Sequence, residues 1–243
     1  MLTLFKKEIN NFFNSLIGYI VIAVFLIVIS LFLWVFPTDY NILRAGYANL
    51  DGLFVMGPFV FLFLIPAITM RFFSDEIRSG TIEMLLTKPI TDLGIILSKF
   101  FAGLVLVLLS LIPTIVFVIT VHRFGLPHGN LDMGGVWGSY LGLLFLGAAF
   151  VAIGLFASSI TENQIVSFII AVFLCGFIFI GFEMIYTLEL FGKADLLIRN
   201  LGIYAHYTSM SRGVIDTRDL IYFLSLTALF ILFTKIRLES RKW

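Results

Sequence analysis

Six stretches of the chain are predominantly apolar over close to the roughly 17 to 25 positions that a helix needs to cross hydrocarbon. They predict spans at Leu16–Phe36, Leu53–Met70, Phe100–Val121, Trp137–Ser158, Ile165–Tyr186 and Leu220–Lys235. In each, apolar side chains occupy every face, which suits a helix surrounded by lipid or by other helices. Hydrocarbon offers the backbone no hydrogen-bond partner, so helices are the expected form. The fold class predicted is all-α integral membrane, with six transmembrane helices in one domain over residues 1–243. Pro58, Pro66 and Pro113 fall inside spans, where each removes a backbone bond and predicts a bend.

Between the runs, two short segments change period. Leu2, Phe5, Ile9, Phe12, Phe13 and Leu16 recur at helical spacing, with Lys6, Lys7, Glu8, Asn10, Asn11 and Asn14 on the remaining arc. Residues 1–15 therefore predict an amphipathic interfacial helix. Phe72 to Lys99 is polar and charged, lying between the second and third spans, and residues 72–92 form its core. Ser79-Gly80 breaks the preceding helix there, Glu83 falls in the first turn of a new one, and Lys88-Pro89 stops it. Ile82, Leu85 and Leu86 lie at i, i+3 and i+4, enough for a groove on another protein. Thr91-Asp92 predicts the cap of the helix re-entering the bilayer. Spacing alone is equally compatible with a polar loop carrying one helical turn.

Composition agrees with a membrane protein: 60% of residues are hydrophobic and 13% charged, against roughly 45 to 50% and about 25% in soluble domains. A net charge of +1 gives no basic face for nucleic acid. The first apolar run lacks a small-residue cleavage site and is read as retained. Lys6, Lys7, Arg71, Arg78, Lys88, Lys99, Lys235, Arg237, Arg241 and Lys242 collect on one side, against Arg44 and Arg123 in the first two connections opposite. The positive-inside rule then makes both termini and the 72–92 region cytoplasmic, and lipid the surrounding partner. Lys193, Arg199, Arg212 and Arg218 in the last external connection, residues 187–219, run against the rule beside acidic residues.

Other chemistry is sparse. The chain has no G-x-x-x-x-G-K-[ST] phosphate cradle, so ATP would be hydrolysed on another chain. His122, His128, His206 and Cys175 lack metal-ligand spacing, and the serines lack the partners of a nucleophile. No catalytic, cofactor or metal residue is assigned. Glu183 is the one carboxylate inside a predicted span, read as interfacial or as part of a pathway. Leu196, Leu197, Leu201 and Tyr204 share a helical face with Arg199 nearby, which makes Glu183, Arg199 and Tyr204 the candidate external gate.

The segment SDEIRSGTIEMLLTKPITDLGIILSK resembles the coupling-helix region of type-2 ABC exporter permeases. With WVFPTDYNIL, FLFLIPAITMRFFSDE, ASSITENQIVSFIIAVFLC and YTSMSRGVIDTRDLIYF, the chain is similar through nearly its whole length to the GldF-type gliding-motility permease subunits of Bacteroidetes. The resemblance implies a six-span inner-membrane subunit that pairs with a second permease-type subunit or a second copy, and with a dimeric cytoplasmic ATPase holding ATP and Mg. It places ATPase coupling on Glu76, Arg78, Gly80, Thr81, Glu83, Leu85, Leu86 and Pro89, to which the apolar spacing adds Ile82. It also implies short helices in residues 187–219 that dip back into the outer membrane face. Two other readings stay open: a type-2 permease for another substrate, as in copper-enzyme maturation or drug export, and a structural anchor of a motility or secretion apparatus.

Overall fold

The computed structural model describes residues 1–86, 90–125, 127–190, 192, 195–214 and 216–240. An N-terminal helix, α1 (Leu2–Phe13), precedes the first span, which is α2 (Leu16–Ser30) prolonged by a π-helical turn at Leu31–Val35. The second span is α3 (Asp51–Thr69), followed at its C-terminal end by two short helices, α4 (Ser74–Arg78) and α5 (Thr81–Leu86). The third joins α6 (Asp92–Leu111) to α7 (Ile115–Phe124) through a 3-10 turn, and the fourth is α8 (Met133–Ile160). The fifth runs from α9 (Gln164–Gly176) through a π turn into α10 (Phe182–Thr187). Two short helices, α11 (Asp195–Arg199) and α12 (Ile203–Met210), lead to the last span, α13 (Thr217–Glu239). Six helices are thus long and apolar enough to cross a membrane, and the protein is an all-α integral membrane protein.

Helix starts follow local chemistry. Thr91 Oγ1 accepts from the Gly94 amide at 3.2 Å, the cap expected for the third span. Asp132, Asn163 and Asp216 cap α8, α9 and α13 in the same way. Pro58 and Pro66 lie inside α3. Pro58 has no N–H to offer the Phe54 carbonyl one turn back, and the Tyr207 hydroxyl donates to that oxygen at 2.6 Å. At Pro113 the third span changes to a 3-10 turn, where Thr114 Oγ1 donates to the Leu111 carbonyl at 2.6 Å.

Helix α8 is the axis of the bundle, with α3, α6, α9, α12 and α13 packed around it. Leu143, Leu146, Ala149, Phe150, Ala152, Ile153 and Leu155 on it are fully buried. Small residues let the neighbours approach closely, as bilayer packing requires. At Gly154 an added Cβ would stand 2.0 Å from Thr69 Oγ1, so α3 and α8 touch backbone to side chain at this point.

A candidate coupling site at one end of the bundle

Phe72 and Phe73 are buried where α3 gives way to α4. Against them lies Lys99, two turns into α6 and 1% exposed, with its Nζ 5.2 Å from the centre of the Phe73 ring. The ammonium donates to Glu8 Oε1 of α1 at 3.0 Å and to Glu76 Oε1 of α4 at 2.9 Å. Lys7 Nζ stands 3.8 Å from the same Glu76 oxygen. Two carboxylates thus face two ammonium groups, and two other elements, α1 and α4, converge on one lysine of α6. Such a cluster is stable only while its members stay paired, because an isolated buried charge is penalised heavily. Glu76 Oε2 is buried without a hydrogen-bond partner among the described residues. A further bond runs from Gln164 Nε2, at the start of α9, to Asp75 of α4. Helix α4 is therefore tied to α1, to the third span and to the fifth.

Beyond α4 the chain turns at Gly80, whose φ of +69° is strained for a residue with a side chain. Ser79 Oγ and Thr81 Oγ1 are 2.8 Å apart across that turn. Arg78, Gly80, Thr81 and Glu83 are exposed, as is Met84 at 71%. Two expectations need correction. Ile82 was expected to share an outward apolar face with Leu85 and Leu86, but it is 5% exposed and joins the core, because α5 folds back on α4 after the Gly80 turn. Glu8, expected on the polar arc of α1, is 6% exposed, because Lys99 draws it into the bundle. Glu76 also turns inward, while Leu85 and Leu86 are described as helical backbone. Pro89 lies outside the described residues.

At the opposite end, Glu183 Oε2 accepts from Arg199 Nε at 3.3 Å, with their side chains 22% and 37% exposed. The Arg199 guanidinium also lies 5.1 Å from the centre of the Tyr186 ring. Tyr204 does not share this pair; its ring meets Phe179 edge-on at 5.8 Å. Leu196, Leu197 and Leu201 are all more than half exposed.

The arrangement joins an exposed helical turn, by buried charges, to the neighbouring ends of several spans. No signal in the local sequence pattern singled out Lys99 or Glu8 as partners, since 91 residues separate them. A family model described as "ABC-2 family transporter protein" matches residues 2–234, and no curated protein matches the chain. With that match running from α1 into the last span, and six membrane helices behind it, the chain belongs to the ABC-2 transporter family as a multi-pass membrane permease of an ABC transporter.

Proposed function

We propose that this permease couples ATP hydrolysis by a separate cytoplasmic ABC ATPase to rearrangement of its own spans, in a complex serving gliding motility. The observation that carries the coupling is the turn about Gly80, with Arg78, Thr81, Glu83 and Met84 exposed, anchored through Glu76 to Lys99. A partner that shifts α4 and α5 pulls on a fully buried cation shared by α1 and the third span. Packed elements of this kind move between discrete arrangements rather than deforming smoothly. The gliding role rests on the sequence resemblance, as does pairing with a second permease subunit or a second copy. Both termini and the 72–92 region are cytoplasmic in this reading, in an inner membrane, on the Lys and Arg asymmetry. Residues 187–219 close the outer end.

The test is copurification with the ATPase. Met84→Asp combined with Leu85→Asp and Leu86→Asp places charge where an apolar groove could not solvate it. The ATPase should be lost from the purified complex while membrane insertion is unchanged. Full retention of an active ATPase by this variant would remove the coupling assignment.

A further inference from the structure

At the end of the bundle opposite Lys99, a cavity of about 670 Å³ lies between the start of α3, the π turn after α9 and α12, within the size range of small-molecule sites. Six aromatic rings line it, those of Tyr40, Phe54, Phe59, Phe179, Tyr204 and Tyr207. Asp51 is the one charged side chain among the described lining residues. An added Cβ at Gly52 would stand 2.8 Å from the Tyr40 carbonyl oxygen, so the preceding loop lies flat on the first turn of α3 and brings Tyr40 beside Asp51. Phe59 from α3 and Tyr204 from α12 both meet Phe179 edge-on at 5.8 Å. Phe54, Phe179 and Tyr207 are 6%, 1% and 4% exposed and form a floor. That sets them apart from the aromatic belt of a membrane protein, which sits at the interface with lipid.

This lining discriminates by charge as well as by shape. The face of an aromatic ring is negative and attracts a cation within about 6 Å of its centre. Asp51 adds a full negative charge at the exposed rim. Its Oδ2 accepts from Asn49 Nδ2 at 3.1 Å, a neutral donor that orients the carboxylate without cancelling its charge. The Tyr207 hydroxyl is already given to the Phe54 carbonyl at 2.6 Å, which leaves the ring of Tyr207 to the cavity. Arg199, at the same end of the bundle, is turned to Glu183. An anion would therefore meet ring faces and a carboxylate with no cation to offset them. A neutral apolar molecule would leave Asp51 unanswered, and a bare metal ion would lack the shell of oxygens it needs.

We propose that this cavity binds an organic ammonium ion, above all a quaternary one. The cationic centre sits between Asp51 and the ring faces at the rim, and its apolar substituents cover the floor at Phe54 and Phe179. A quaternary nitrogen has no N–H to satisfy, so one carboxylate and several rings complete its surroundings. Binding of this ion stands on the cavity alone; its carriage across the membrane rests on the transport reading above.

The experiment is titration calorimetry of the full-length protein in uncharged maltoside micelles, with benzyltrimethylammonium as the probe and neopentylbenzene as its uncharged carbon analogue. Wild type should bind the cation roughly tenfold or more tightly than the analogue. Tyr204→Leu keeps an apolar wall and should weaken the cation roughly two- to thirtyfold, the range of cation–ring contacts. Asp51→Asn should weaken it roughly two- to fivefold, as for an exposed ion pair. The analogue's affinity should hold in both variants. Asp51 is exposed and Tyr204 is 36% exposed, so both variants should fold, with an unchanged unfolding temperature as the check. Equal affinity for the two compounds, uptake of neither, or full cation affinity in both variants would overturn the proposal. The Met84→Asp, Leu85→Asp, Leu86→Asp variant should bind the probe as wild type does, so a failed coupling assignment shows in copurification and a failed cavity assignment in this titration.

Discussion

The two ends of this bundle are both held by charges, but under opposite conditions. At the inner end Lys99 is 1% exposed and its partners Glu8 and Glu76 have side chains 8% and 14% exposed. At the outer end Arg199 and Glu183 keep 37% and 22% of their side chains in contact with the surroundings. Burial strengthens a charge pair and also raises the penalty for separating it. Separating the Lys99 cluster is therefore costly, while separating the Arg199–Glu183 pair costs little. In the proposed coupling, that asymmetry would put the firm attachment where the ATPase acts and the loose one at the far end.

The hardest test of the contrast is Lys99→Met. Removing the one cation shared by Glu8 and Glu76 should destabilise the protein by about 3 to 5 kcal/mol, seen as a large drop in thermal unfolding temperature in detergent. Adding Glu8→Gln and Glu76→Gln should restore most of the loss, since no buried charge is then left unpaired. Failure of the triple variant to recover would mean that Lys99 matters for its packing on Phe72 and Phe73 and not for its charge. Tyr207→Phe comes next, because it leaves the Phe54 carbonyl without the donor that replaces the missing Pro58 amide. A loss of about 1 to 3 kcal/mol is expected, and a neutral result in the same unfolding assay would show that water takes the place of the hydroxyl. Arg199→Ala should have the smallest effect, below about 1 kcal/mol, and should fade in high salt. A salt-resistant loss as large as that of Lys99→Met would erase the distinction between the ends.

Much of the architecture was legible in local pattern. Six apolar runs became six spans, and Thr91 capped the third. Runs and caps are properties of neighbouring residues, which is why sequence reports them. The joints were not legible. Helix α1 carries two partly apolar arcs, and the one through Leu2 and Phe5 faces the groove beside Phe101 and Leu104. The arc that packs inward is Leu4, Glu8 and Phe12. Nothing in twelve residues says that a glutamate will be buried when its lysine lies in another helix. Ile82 was misplaced for a related reason, because periodicity gives a face but not the direction in which the Gly80 turn aims it.

The contact between Gly154 and Thr69 has a mechanical consequence. Two helices that meet with no room for a single added carbon cannot slide past one another there, but they can rock about the point. Thr69 is the last residue of α3, and the chain turns into α4 only five residues later. Any side chain at position 154 would therefore wedge α3 away from α8 at the place where the second span hands over to the charged segment.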